Sequence, residues 1–324
     1  MTSPAELRLT GEDLGEAQAT LRDLIHRTPL LSSGQLGART GYRVWLKAEN
    51  LQKTGSFKPR GAFNRVRHLS RDELLRGVIT ASAGNHGQAV AWVAAQEGIP
   101  GVVVMPEGAN PSKVAAVRGY GAETILHGAL WDDAYAHSVE LAARRGLTYV
   151  HPFKDRHVMA GQGTTAMEIA EDLPDVDAVV IPIGGGGLIA GMASALRLAA
   201  PRARIVGVEP SGSANMYESR ARGTAVALES VATVADGLAT RGTDPEVFAL
   251  VERLVDDLVT VTDEEILAAL RFLLERAKLV AEPSGAAATA ALLAGKVRLP
   301  PGSRAVAVCS GGNLDIQGRV KLLF

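Results

Sequence analysis

Residues 178–196 read Ala-Val-Val-Ile-Pro-Ile-Gly-Gly-Gly-Gly-Leu-Ile-Ala-Gly-Met-Ala-Ser-Ala-Leu. Nineteen positions pass without a charge, long enough to suggest a membrane span. Pro182 and five glycines instead divide the stretch into a short β-branched run, a glycine cluster and an alanine-rich segment. That succession predicts a buried strand, a tight turn and a helix, the repeating unit of an α/β protein. Four consecutive glycines carry an entropy cost that a purely structural turn explains poorly. A phosphate held by the amides of Gly184, Gly185, Gly186, Gly187 and Leu188 at a helix N-terminus accounts for it. A dinucleotide is the rival occupant, because Glu209 ends the next predicted strand about where a ribose-binding acid would stand. No G-x-G-x-x-G register fits, however: Leu188 or Ile189 falls on a required glycine in each frame.

Outward from this unit, short runs rich in Val and Ile alternate with longer Ala/Leu segments, the pattern of a mostly parallel sheet covered by helices. Strands are predicted at 42–47, 77–81, 101–105, 123–126, 178–183, 204–208 and 304–309. Helices are predicted at 87–97, 132–145, 160–172, 188–199 and 263–278, the last opened by Thr262-Asp263-Glu264-Glu265 with acids at the positive end of its dipole. The chain has 324 residues, 47% of them hydrophobic, enough for two modest domains. A net charge of −1 leaves no electrostatic footprint for nucleic acid or an anionic membrane. The single cysteine, Cys309, permits no internal disulfide and suits a reducing, cytoplasmic setting. Glu6, Arg8, Glu12 and Asp13 leave no apolar signal core near the start.

Three further stretches carry chemistry. Residues 53–61 read Lys-Thr-Gly-Ser-Phe-Lys-Pro-Arg-Gly. Lys58 precedes a proline that biases it toward extended backbone, and Pro59 suits the first turn of a helix continuing to Arg67. An ammonium at a helix N-terminus is disfavoured, and a lysine of lowered pKa is suited to attack an aldehyde. Residues 81–87, Ala-Ser-Ala-Gly-Asn-His-Gly, follow a strand and enter a helix. Small residues and free amides there form an anion site, with Ser82 and Asn85 as added donors and a substrate carboxylate as the natural occupant. Residues 309–313, Cys-Ser-Gly-Gly-Asn, end another strand, where ligands bind in open α/β sheets.

Together these stretches resemble the fold type II pyridoxal phosphate enzymes, which are tryptophan synthase beta-like, and within them the serine/threonine dehydratase and serine racemase family. The likeness runs from Arg27-Thr28-Pro29-Leu30 to Asn313. It also takes in Lys47-Ala48-Glu49-Asn50-Leu51-Gln52, Gly161-Gln162-Gly163-Thr164 and Ala235-Asp236-Gly237. The resemblance implies two domains, each with a mostly parallel sheet flanked by helices. The large cofactor-binding domain would comprise 1–50 and 156–324; the small one, 51–155, would carry the Schiff-base lysine and the carboxylate loop. Lys58 would bind pyridoxal 5'-phosphate as a Schiff base, with Phe57 and Gly237 against opposite faces of its ring. Asn85 would meet its phenolic oxygen, Gly184, Gly185, Gly186, Gly187 and Leu188 its phosphate, and Ser310 its pyridine nitrogen. Ser82, Ala83, Gly84, Asn85 and His86 would receive the substrate carboxylate. The activity implied is β-elimination of L-threonine or L-serine to 2-oxobutanoate or pyruvate plus ammonia, in a dimer or tetramer.

The chain departs from its relatives in three places. Racemases place a serine acid/base where this chain has Ala83, and an arginine in a region where residues 120–142 contain none. The expectation is therefore a lyase, with Lys58 the only base at Cα. A mono- or divalent cation in the racemases follows Glu-Pro-Ser, present here as Glu209-Pro210-Ser211, but their aspartate is replaced by Asn215. With eleven residues after Asn313, no appended regulatory domain is expected. His151 reads as a packed histidine, Trp92 and Trp131 as core or interface, and Asp132 and Asp133 as helix caps. Other dehydratases (of hydroxyaspartate or phenylserine), a racemase, a β-replacement enzyme, a non-catalytic binding relative and a dinucleotide-binding protein are the alternatives. His86 opposes the replacement enzyme and Lys58 the non-catalytic relative.

Overall fold

The computed structural model of the chain describes residues 7–315, so Glu6 lies outside the described residues. Ten strands are present: β1 Leu30–Ser32, β2 Arg43–Ala48, β3 Val78–Ala81, β4 Gly101–Met105, β5 Glu123–Leu126, β6 Thr148–Tyr149, β7 Ala178–Pro182, β8 Arg204–Pro210, β9 Asp257–Val261 and β10 Arg304–Cys309. All seven expected strands are among them. A six-stranded sheet has the order β1-β2-β10-β7-β8-β9, and a four-stranded sheet the order β5-β4-β3-β6. Every pairing is parallel except β1 with β2.

Strands β3, β4, β7, β8 and β10 are buried on both faces, which explains their continuous apolar runs. Along β7 and β10, Val179, Ile181, Val306 and Val308 enter one core cluster, while Val180, Ala305, Ala307 and Cys309 enter another. The first contains residues of helices Arg156–Asp172 and Gly187–Ala199, the second residues of Asp263–Phe272 and Pro283–Leu293. Smaller clusters occupy the two faces of the four-stranded sheet. Residues 178–196 resolve into β7, the glycine turn and a helix. No described helix is long and apolar enough to cross a membrane.

Two expectations need correction. Lys58 is not extended: it is the first residue of helix Lys58–Arg67, with Phe57 already in right-handed helical geometry. Pro59 then sits in the first turn, where its missing N–H removes no hydrogen bond. The helix expected over 263–278 opens with the expected acids in its first turn, Thr262 and Glu265 forming a capping box, but ends at Phe272. A π-helical turn, Leu273–Ala277, follows, and Lys278 stops it in left-handed geometry at φ 59°.

The Lys58 helix packs directly on helix Arg156–Asp172 through glycines. A Cβ on Gly161 would lie 2.4 Å from the Arg60 carbonyl oxygen, and one on Gly61 would lie 2.7 Å from that of Val158. This crossing joins the segment that carries the lysine to the larger sheet's helices.

Candidate active site

The four glycine-rich stretches, distant in sequence, meet around one cavity of about 630 Å³. Phe57, Lys58, Ser82, Ala83, Gly84, Asn85, His86, Gly184, Gly185, Gly187, Leu188, Gly237 and Ser310 all line it. Gly186 does not. It turns the chain at φ 98°, and a Cβ there would strike Val247 at 2.7 Å, so it shapes the loop from behind.

Lys58 is held against the end of β10. Ser56 bridges Gly311, the Phe57 amide donates to the Ser310 carbonyl (3.1 Å), and the Gly312 amide donates to Gly55 (2.8 Å). Thr54, at φ 57°, is a β-branched residue in left-handed geometry, a strained conformation held by its surroundings. The Asn313 side chain donates to its carbonyl at 2.7 Å. The Lys58 ammonium donates to the Pro152 carbonyl at 3.0 Å and lies 5.0 Å from the Phe57 ring centroid. Burial lowers its pKa from 10.5 to about 8. The direction is the one expected; burial is the cause in place of the helix terminus.

Opposing it are two helix starts with unspent donors. The amides of Gly184, Gly185, Gly186, Gly187 and Leu188 find no acceptor among the described residues, and no side chain caps helix Gly187–Ala199. Phe153 packs against this loop so tightly that a Cβ on Gly185 would lie 2.3 Å from its ring. The amides of Ala83, Asn85 and His86 are likewise without an acceptor at the uncapped start of helix Asn85–Glu97. Each array can receive an anion. His86 Nε2 meets the Val150 carbonyl at 2.9 Å, and burial together with the Lys58 charge lowers its pKa to about 3, so it is neutral.

Between these ends, Asn85 donates to Glu282 (2.5 Å) and accepts from Asn313 (2.8 Å). The Gly237 amide donates to the Ser284 hydroxyl at 2.9 Å, and Ser310 donates to the Ser284 carbonyl at 3.4 Å. Glu282 and Ser284 line the cavity without having been singled out in the sequence. Glu282-Pro283-Ser284, opening a helix with Pro in its first turn, is the signal that marks a helix start there.

The expected flanking roles divide. His151 Nδ1 accepts the amides of Phe153 (3.2 Å) and Lys154 (2.8 Å); burial and nearby Lys58 lower its pKa to about 4. It is a packed, neutral histidine that shapes the turn bearing Phe153. Trp92 packs edge-on to Phe63, whereas Trp131 is 42% exposed and lines the cavity, so of the core-or-interface expectation the core half does not hold for Trp131. Asp133 caps as expected, accepting the amides of Ala129 and Leu130, but Asp132 faces Arg241 across the cavity rim at 3.7 Å. The other rim pair joins Lys113 to Asp236.

Glu209 is buried, and its oxygens accept the amides of Met216 (2.9 Å) and Tyr217 (2.7 Å). Burial raises its pKa to about 8, against the opposing pull of those two amide hydrogen bonds. Asn215 donates to Thr240, and among the described residues no group of three or more His, Cys, Asp or Glu side chains is placed so that it could hold a metal ion.

Behind the lysine lies a buried ionic network. Arg60 donates to both oxygens of Glu49 (2.8 Å each), to both of Glu168 (2.7 and 2.9 Å) and to Thr164 (3.0 Å). Lys47 donates to Glu168 at 2.5 Å and to the Thr28 carbonyl at 2.7 Å. The stretches at 27–30, 47–52 and 161–164 surround the helix that starts at Lys58.

A helix-start lysine thus lies inside an α/β crevice and faces two turns that can each receive an anion. The chain belongs to the pyridoxal-phosphate dependent enzymes, whose family model matches residues 21–311. It is 47% identical over 308 residues to the L-threonine ammonia-lyase of Thermotoga maritima, covering 95% of this chain and 76% of that protein. It is 43% identical over 307 residues to a catabolic L-threonine dehydratase of Staphylococcus aureus, covering 94% and 89%. Among solved structures, maize serine racemase superposes with a TM-score of 0.93 at 35% identity, covering 97% of this chain and 96% of that one. Threonine deaminase isoform 2 of Solanum lycopersicum gives 0.89 at 37%, covering 97% and 88%. The expected family and fold are borne out.

Proposed function

We propose that this chain is a pyridoxal phosphate-dependent ammonia-lyase converting L-threonine, L-serine or both to 2-oxobutanoate or pyruvate with release of ammonia. The observation that carries the reading is a lysine of lowered pKa sharing one cavity with two uncapped, glycine-rich helix starts. The relatives' names point to the same activity.

The residues present fit the cofactor. The unpaired amides at 184–188 would hold its phosphate, Lys58 its aldehyde carbon, Asn85 its phenolic oxygen and Ser310 its ring nitrogen, with Phe57 and Gly237 against the ring. When bound, the cofactor supplies a sink for the electron pair left at the substrate's Cα. The amides of residues 83–86 orient the substrate through its carboxylate. With a pKa of about 8, Lys58 has an accessible neutral form, so its freed amine can take the Cα proton. The β-hydroxyl then leaves as water, taking the proton that Lys58 removed from Cα, and the enamine product takes up water to give the keto acid and ammonia. Ala83 stands where the racemases carry a serine acid/base, and its methyl group can return no proton, which favours elimination over racemisation.

Two side-chain cations besides Lys58 line the cavity, Lys113 and Arg241, and each faces an acid, leaving a second substrate carboxylate without a dedicated partner. This supports threonine or serine over a hydroxyaspartate. A cation at Glu209 is no part of the proposal, because both carboxylate oxygens are engaged by amides.

The proposed division into 1–50 with 156–324, and 51–155, is supported by β3 to β6 all falling in the middle segment. A cytoplasmic homo-oligomer, dimer or tetramer, completes the reading; the free, buried Cys309 suits a reducing compartment. Keto-acid release from L-threonine, L-serine, 3-hydroxyaspartate and 3-phenylserine tests the activity. Turnover of threonine or serine is expected, and its absence would refute the reading.

A further inference from the structure

We propose that Trp131 is a specificity-determining residue: its indole forms the wall of the cavity beside residues 82–86 and limits the bulk of the substrate's β-substituent. The inference rests on the function proposed above and deepens it by defining the substrate class as β-hydroxy amino acids with a small β-substituent.

The local sequence fixes the indole. Gly128 turns the chain at φ 72°, and a Cβ there would lie 2.1 Å from that of Asp133, so only glycine fits. Asp133 then accepts the amides of Ala129 and Leu130, both at 3.0 Å, and pins Trp131 as the first residue of helix Trp131–Arg145. One turn later Tyr135 stacks on the indole, with centroids 5.0 Å apart and planes 14° apart. Tyr135 meets Tyr149 edge-on at 5.8 Å and 88°.

This cluster closes on Ala81, the last residue of β3 and the one that leads into residues 82–86. The Ala81 amide donates to the Tyr149 hydroxyl and its carbonyl accepts from the Trp131 indole, both at 3.3 Å. An aromatic ring held at three points has little freedom to move aside for a ligand. Yet it is not core, for Trp131 keeps 42% of its surface exposed and lines the cavity with Leu130 and Asp132. A substrate held by its carboxylate at residues 83–86 lies beside an indole anchored to the preceding peptide. The ring therefore sets how large a β-substituent can be accepted.

The test compares L-threonine with 3-phenylserine in the holoenzymes of wild type, Trp131→Phe and Trp131→Ala. Amino-acid affinity is read by titrating the cofactor's absorbance, and keto-acid release gives kcat/KM. Far-ultraviolet circular dichroism and cofactor content confirm that each variant folds and loads. Trp131→Ala is expected to shift the phenylserine-to-threonine preference toward phenylserine by about tenfold or more in both readouts. Trp131→Phe, which keeps a ring but loses the bond to Ala81, is expected to hold the wild-type preference while KM rises for both substrates. A preference unchanged in Trp131→Ala, or moved toward threonine, would overturn the proposal. If wild type binds both amino acids but releases no keto acid, the proposed activity fails while the affinity ratio still judges the wall.

Discussion

Replacing Arg60 by methionine tests the assignment of the buried ionic network as the support of the lysine-bearing helix. The guanidinium is fully buried and donates to both oxygens of Glu49 and both of Glu168. Methionine fills much of the volume but leaves Glu49 with Thr28 and the charge of Lys47, and Glu168 with Lys47 alone. Removing one partner of a buried ion pair costs about 3–5 kcal/mol, because the remaining charge stays desolvated. Guanidinium unfolding of the apoprotein, followed by circular dichroism, should show a loss of that size. A loss below about 1 kcal/mol, the value of a surface pair, would refute the reasoning.

The pH dependence supplies an independent sign. Burial alone would push Glu49 up, but the Arg60 charge and hydrogen bonds, with Lys47, hold its carboxyl below the usual carboxylate range. A depressed folded-state pKa contributes stability that is present above the unfolded pKa and lost as pH falls through the folded one. Without Arg60, burial raises Glu49, so the variant should regain ground on wild type as pH falls from 7 toward 5. Glu49→Gln in the same background should recover part of the loss, making the double variant less than additive.

Other consequences are equally open to measurement. Ala83→Ser places a hydroxyl opposite Lys58, and the ratio of D-serine formed to pyruvate released from L-serine should rise; an unchanged ratio would count against a one-sided site. Gly161→Ala forces a Cβ to within 2.4 Å of the Arg60 carbonyl, so the two helices must separate. A destabilisation of about 1–3 kcal/mol is expected by denaturant unfolding, with weaker cofactor retention. In the apoprotein, Lys58 has a folded pKa of about 8 against 10.5 unfolded, so the unfolded chain binds more protons between those values. Stability should rise with pH across that window, and Lys58→Met should abolish the rise.

Most strands readable in the sequence are those whose apolar runs are buried between helices; β5, Glu-Thr-Ile-Leu and part-exposed, is the exception. Three escaped for physical reasons. β6 is two residues long, β1 is a three-residue edge, and β9 is a half-buried edge strand that begins with an aspartate. The glycine turns were legible because four glycines or a Ser-Ala-Gly-Asn run at the end of a strand have few structural explanations. The Arg60 network was not, since its partners lie 11 and 108 residues away and each acid alone looks like a surface charge. The cavity position of Trp131 was not legible either: a tryptophan there reads as core or interface, and only the Gly128 turn and the Ala81 peptide aim it into the cavity.

The central claim is that Lys58 carries the cofactor and acts at Cα. Reducing the purified holoenzyme with borohydride and mapping its peptides by mass spectrometry tests that claim most directly. A phosphopyridoxyl group on Lys58 is predicted, lost in Lys58→Ala together with keto-acid release from threonine. A label on another lysine, or an undiminished rate in Lys58→Ala, would contradict it.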